Sequence, residues 1–223
     1  MRLVLLHALP FDHRMWDPLR TSLAEAYTPT LYGSGDSVQQ WAAGALSVLP
    51  NDDLFVVGNS VGGSCALEMA RAAPERVRGV VLIGTKIGVR PDPAARDAVI
   101  AVLREEGVEA TWRRYWRPLL GAACAESTAS TARRMALEQD VGDLITGVRA
   151  FYDRRDHTAF VRSWTGRLVL VNGVGDRTPS PAVSAAGAPH AQQVVVDGAG
   201  HYLPLEQPTA LRRTIREQLR LAK

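Results

Sequence analysis

The segment that most limits what this chain can become is Leu54-Phe55-Val56-Val57, followed at once by Gly58-Asn59-Ser60-Val61-Gly62. The first four residues are apolar and partly β-branched, as in a strand buried on both faces. From Gly63 to Arg71 the pattern is helical, and it stops near Pro74. Between strand and helix stands a serine with glycine two residues away on each side. A turn this tight brings two backbones together and leaves no room for a Cβ, which is the reason for the glycines. It also pushes the Ser60 hydroxyl into the open, with a helix N-terminus behind it that favours developing negative charge. A bare G-x-S-x-G arises often by chance. One seated between strand and helix is a strong signal.

The rest of the chain alternates strands and helices. Strands are expected at Leu3–Leu6, Tyr27–Tyr32, Leu54–Val57, Val77–Ile83, Arg167–Asn172 and Gln193–Asp197. Asp12 is placed to cap a helix from about His13 to Glu25. Further helices are expected over Val38–Val48 and Thr209–Leu221. Strands spaced by helices imply a parallel sheet covered on both faces. Between Lys86 and Ser163 the rhythm changes to helical patterns alone, best at Val99–Glu106, Ala110–Leu120, Ala129–Glu138 and Val141–Asp153. Because the sheet resumes at Arg167, residues 86–163 read as a helical cap inserted into a core made of 1–85 and 164–223. Pro29 lies inside the second strand and suits it to an exposed edge, giving six parallel strands in the order second, first, third, fourth, fifth, sixth.

Composition narrows the function classes. At 223 residues and 46% apolar, the chain can bury one sizeable core. Its net charge is only +3, and no basic block tracks phosphates, so a nucleic-acid partner is not expected. The 24 arginines against 2 lysines suggest codon bias more than a binding surface. His7 interrupts the short apolar start, no apolar run reaches membrane-spanning length, and the expectation is a soluble cytoplasmic protein. Cys65 and Cys124 lack the spacing of a metal site or a disulfide framework. Gly33-Ser34-Gly35 lacks the third glycine of a dinucleotide loop. Neither a metal nor a cofactor is expected, and nothing in the sequence bears on oligomeric state.

In open α/β sheets, sites form at the carboxyl ends of the strands. Ser60 follows the third strand, Asp176 the fifth and His201 the sixth. That chain order, Ser…Asp…His, is the one associated with a serine on such a turn. His190 precedes its strand, while His157 lies in the cap and His13 opens the first helix. His7 is on the correct edge but is better explained by the loop it begins. By position Asp176 is favoured as the acid over Asp197, which reads as a turn former, and over Asp36, which precedes the serine.

Taken together these residues resemble the α/β-hydrolase superfamily over essentially the whole length. His7-Ala8-Leu9-Pro10 is similar to its oxyanion loop, with Ala8 where glycine is usual, and Gly58–Gly62 to its nucleophile elbow. Gly173-Val174-Gly175-Asp176-Arg177-Thr178 resembles the acid loop of cofactor-free perhydrolases, and Gly200-His201 with Leu205-Glu206-Gln207-Pro208 the family's histidine segment. Thr30–Ser37 resembles a D-x-x-G-x-G-x-S loop without its first aspartate. Asn59 before the serine is similar to the elbow of some carbon–carbon bond hydrolases.

The resemblance implies a fold and a chemistry. Ser60, His201 and Asp176 would act as nucleophile, base and orienting acid, with the backbone N–H groups of Leu9 and Val61 holding the oxyanion. Pro10 has no N–H, so that duty falls to Leu9. His7 would organise its loop. The expected activity is hydrolysis of a carboxylic ester, thioester or lactone of a mainly apolar small molecule, through an acyl-Ser60 intermediate. A carbon–carbon bond hydrolase, or a lyase or cyclase on the same scaffold, is the alternative, and a silent binding protein is disfavoured because all three residues are present. Specificity should lie in the cap. There Trp112, Tyr115 and Trp116 share a helix face that either packs against the sheet, the commoner fate, or lines an acyl pocket. Arg113 and Arg117 on the neighbouring face are either solvated or leave room for a negatively charged tail.

Overall fold

A computed structural model describes residues 1–222 apart from 21, 22 and 24. Five strands, β1 (Arg2–Leu6), β2 (Leu54–Asn59), β3 (Val77–Ile83), β4 (Arg167–Gly173) and β5 (Gln192–Val196), form one sheet in the order β1-β2-β3-β4-β5. Every pairing is parallel. Every residue of β2 is buried, and all but one in each of β1, β3 and β4. With both faces covered there is no polar side to alternate with, so these strands read as continuous apolar runs. At the far edge β5 is mostly exposed.

The expected second strand, Tyr27–Tyr32, is not one, so the sheet has five strands and not six. Its position beside β1 is correct, but it is reduced to one parallel bridge, Val4 to Tyr27. The Tyr27 amide donates to the Leu3 carbonyl and the Leu5 amide to the Tyr27 carbonyl, both at 2.9 Å. Pro29 then offers no donor to continue the ladder. The Leu31 amide instead donates 2.8 Å to His7 Nε2, turning the chain toward the site.

Asp12 accepts from the Arg14 amide at 2.9 Å and starts a 3-10 turn, His13–Trp16, that runs into α1 (Asp17–Arg20). The helix expected there extends further, over a stretch in which residues 21, 22 and 24 lie outside the described ones. Next come α2 (Val38–Val48), capped by Ser37, and α3 (Val61–Ala72), which packs across β1, β2 and β3.

Between β3 and β4 the described residues contain helices and no strand. They are α4 (Pro93–Glu105), α5 (Gly107–Thr111), α6 (Glu126–Leu137), α7 (Val141–Tyr152) and α8 (Thr158–Ser163). Helix α4 starts at Pro93 and not at Val99, because Asp92 caps it and proline fits its first turn. The helix expected over Ala110–Leu120 breaks into the end of α5, a π-turn (Trp112–Trp116) and a 3-10 turn (Arg117–Leu119). After β4 come α9 (Pro181–Gly187), β5, α10 (Leu203–Glu206) and α11 (Pro208–Leu221). No helix among the described residues is long and apolar enough to cross a membrane.

Candidate active site

Ser60 sits between β2 and α3 at φ 56° and ψ −117°, the one non-glycine residue with positive φ among those described. Such a conformation costs about 1–3 kcal/mol and persists only where the surroundings enforce it. They do so through backbone crowding. A Cβ on Gly58 would lie 2.2 Å from the Gly62 carbonyl oxygen, and one on Gly62 would lie 2.3 Å from that of Leu6. A Cβ on Gly63 would lie 1.9 Å from Thr85 Oγ1. That hydroxyl donates to the Ser60 and Ile83 carbonyls, each at 3.2 Å. The Ser60 amide bonds the Ile83 carbonyl at 2.8 Å.

His201 and Asp176 meet at the carboxyl ends of β5 and β4. His201 Nδ1 lies 3.0 Å from Asp176 Oδ2, and both residues are buried. A carboxylate only accepts, so the ring carries a proton on Nδ1 and leaves Nε2 free as a base. Asp176 Oδ1 accepts from the Thr178 amide at 2.8 Å, which fixes the carboxylate from its other side. Gly84 (φ 53°) ends β3 directly against the pair: a Cβ there would lie 2.7 Å from Asp176 Oδ2 and 2.8 Å from His201 Nδ1. Asp197 is exposed and makes no bond to the ring. Ser60 and His201 open onto one cavity, but no hydrogen bond joins them, so the reach expected of His201 holds toward Asp176 alone. Such bonds are commonly loose in a free enzyme and tighten around substrate.

The loop after β1 turns on His7. Its Nε2 accepts from the Leu31 amide, and its Nδ1–H donates to the Ala8 carbonyl at 3.2 Å. Burial pushes its pKa down to about 4, so the ring is neutral and structural. Leu9 lines the same cavity as Ser60, and Val61 begins α3. Neither amide is used in another backbone bond of the described chain.

The cavity measures about 170 Å³. Tyr115 and Trp116 line it, whereas Trp112 is buried against the Phe11 ring at 6.3 Å, centroid to centroid. The aromatic stripe therefore divides between pocket and core. Val99 on α4, Leu119, and Val148, Phe151 and Tyr152 on α7 line it as well. Arg113 and Arg117 do not line it. Arg113 is exposed beside Glu109 at 3.8 Å, and Arg117 is exposed as well. The tail-binding role considered for them has no basis in this geometry.

Residues 3–214 match the sequence model of the Alpha/beta hydrolase family. The chain belongs to that family. A pimeloyl-[acyl-carrier protein] methyl ester esterase of Aromatoleum aromaticum is 38% identical over 104 residues, a match spanning 42% of this chain and 41% of that protein. A thermophilic esterase from Thermogutta terrifontis superposes with TM-score 0.84 at 26% identity, covering 100% of this chain and 90% of the other. An enol-lactonase from Burkholderia xenovorans has the same fold, with TM-score 0.85 at 20% identity over 97% of this chain and 90% of its own.

In this α/β hydrolase the segment holding His201 depends on two residues that sequence reasoning did not assign to it. Glu206 Oε2 accepts from the Gly121 amide at 2.7 Å and the Gly200 amide at 2.9 Å, while Oε1 accepts from Tyr202 at 2.9 Å. One carboxylate thus ties the segment after Leu119 to the histidine turn, and the His201 amide donates to the Leu119 carbonyl at 2.9 Å. Asn59 Nδ2 reaches the Ile83 and His201 carbonyls at 2.9 and 3.1 Å. Its Nδ2 is occupied with backbone while its Oδ1 is buried without a partner, and Asn59 does not line the cavity. The signal for Glu206 was present in the quoted Leu205-Glu206-Gln207-Pro208, but pattern alone does not reveal which amides a carboxylate will meet.

Proposed function

We propose that this chain is a serine hydrolase that cleaves a carboxylic ester, thioester or lactone of a mainly apolar small molecule. The observation that carries this reading is Ser60 held in a strained turn at a helix N-terminus, sharing a cavity with a histidine whose Nδ1 is committed to a buried aspartate. Ser60 Oγ attacks the carbonyl carbon and passes its proton to His201 Nε2. The amides of Leu9 and Val61 take the oxyanion, and each donor of this kind is typically worth about 3 kcal/mol in the transition state. The C–O or C–S bond then breaks, and His201 returns the proton to the leaving oxygen or sulfur. Water, deprotonated by the same ring, releases the acid from Ser60. We assign residues 86–163 to a cap that selects the acyl group through Tyr115, Trp116 and the α7 side chains. The esterase activities named for the two relatives support the ester class and leave the substrate open.

The purified protein should hydrolyse short activated esters and accumulate an acyl-Ser60 adduct visible by mass spectrometry. Ser60→Ala should cost at least about 10⁴-fold in kcat, by analogy with other serine nucleophiles, with the fold retained by circular dichroism. Absence of turnover, adduct and fluorophosphonate labelling in folded wild-type protein would overturn the reading.

A further inference from the structure

Beside the Ser60 cavity lies a larger one of about 760 Å³, between the segment after β3, the α7–α8 connection and α9. The two share Lys86, Phe151 and Tyr152 as a common wall. Four cations line the larger cavity, Lys86, Arg90, Arg154 and Arg177, against the carboxylates of Asp92 and Asp156. Both carboxylates already serve backbone. Asp92 accepts from the Ala95 amide at 2.9 Å as the cap of α4, and Asp156 accepts from Val89 at 2.9 Å and Thr158 at 2.8 Å.

Arg154 is the unusual member. It is only 8% exposed, yet among the described residues no carboxylate lies within ion-pair distance of it, and Asp156 acts on it only through its charge. Its guanidinium carbon lies 4.1 Å from the centre of the Phe151 ring, one Nη donates to the Phe151 carbonyl, and its Nε is buried without a partner. Three arginines of the same helical stretch do find carboxylates, Arg96 at 2.9 Å, Arg114 at 2.9 Å and Arg133 at 2.6 Å, and all three are more exposed. A buried cation without a direct ion pair is costly and is seldom kept without reason. Burial lowers the Arg154 pKa to about 10, and Lys86 is lowered too, by burial first and by the Arg154 charge second. The Arg154 guanidinium is still cationic at neutral pH.

We propose that this second cavity binds a free carboxylate carried by the substrate, so that the enzyme acts on esters or thioesters of dicarboxylic acids. The inference rests on the serine-hydrolase reading and names its substrate class. A guanidinium over the Phe151 ring can offer two parallel N–H groups to a planar anion, and Lys86 lines both the larger cavity and the one that holds Ser60. The apolar Ser60 cavity would take the methylene chain.

The test compares p-nitrophenyl half-esters of glutaric and adipic acids with chain-matched p-nitrophenyl pentanoate and hexanoate. The half-esters should be favoured at least about tenfold in kcat/KM, mainly through KM, and this preference should fall about tenfold or more in Lys86→Met and Arg154→Gln. Equal rates for the two series, or a preference that survives in both variants, would overturn the proposal. Arg154 is buried, so should Arg154→Gln fail to fold, Lys86→Met decides. A calorimetric titration with glutarate separates this proposal from the hydrolase reading. If no ester is cleaved but glutarate binds, and binds about tenfold more weakly to Lys86→Met, the hydrolase reading falls and the anion site stands. No glutarate binding, or tighter binding of inorganic phosphate, overturns the site whatever the esters do.

Discussion

At the carboxyl edge of the sheet, backbone touches backbone; across the cavity, in the cap, side chain touches side chain. The edge is made of close approaches that only glycine permits. Gly58 lies against Gly62, Gly62 against Leu6 and His7, Gly173 against Ala199, and Gly200 against Gly121 and Leu119. On the cap side the wall is Val99, Tyr115, Trp116, Val148, Phe151 and Tyr152, each replaceable by another side chain of similar bulk. The first region tolerates no added atom, and the second tolerates exchange. That difference suits a fixed chemistry beneath a variable specificity, and it can be broken experimentally.

The sharpest break is a matched pair, Gly62→Ala against Val148→Ala. In an ordinary helix interior Gly→Ala would stabilise by roughly 1 kcal/mol. Here the new methyl would sit 2.3 Å from the Leu6 carbonyl oxygen and 2.5 Å from that of His7, and neither backbone can yield without moving β1 from α3. Overpacking against fixed atoms should outweigh the propensity gain, with a net loss of about 2–3 kcal/mol and most of the esterase activity. Val148→Ala should keep activity on short esters within a few-fold while widening chain-length preference. A Gly62→Ala protein with wild-type melting temperature and turnover would refute the account of the edge.

The next effect is a pH dependence at the edge. His7 has a folded pKa near 4, set chiefly by burial, against 6.5 for the free side chain. The fold holds the neutral ring, so below about pH 6.5 the unfolded chain binds a proton that the folded chain does not. This contribution is complete above pH 6.5 and is lost progressively as the pH falls toward 4, reaching about 3 kcal/mol. Urea unfolding at several pH values should show it as the part of the acid-side decline that disappears in His7→Gln. Equal pH slopes in wild type and variant between 6.5 and 4 would mean that His7 titrates normally.

The same division decides what was legible in advance. The placement of Ser60, Asp176 and His201 after strand ends was readable because the glycines beside them mark turns there, and those turns are steric necessities that repeat wherever the fold does. The boundaries of β3 and α2 were readable because a buried strand and a capped amphipathic helix each leave a clear period. The second strand was misread because Tyr27–Tyr32 has strand composition, while Pro29 and the Leu31–His7 bond, a tertiary contact, take the chain out of the ladder. In the cap, the stripe Trp112–Tyr115–Trp116 gave the spacing but not the rotation of a π-turn, which sends Trp112 to the core and its neighbours to the cavity. Arg154 carried no sequence signal among 24 arginines, since its burial is a property of packing.

The smallest effect has the opposite sign, and it concerns the strain itself. Ser60 at φ 56° and ψ −117° occupies a conformation that any residue with a Cβ adopts at a cost. Ser60→Gly removes that cost and, with it, the proposed nucleophile. Glycine also gains freedom in the unfolded chain, which takes back up to about 1 kcal/mol. Strain of about 1–3 kcal/mol should still win, leaving a net stabilisation of about 1 kcal/mol, or a rise of roughly 2–4 °C in melting temperature for a chain of this size. Ser60→Ala keeps the Cβ, loses only the hydroxyl and should show no such rise. A Ser60→Gly protein that is inactive yet no more stable than Ser60→Ala would mean that the turn is relaxed and that the crowding glycines, not a strained serine, account for its shape.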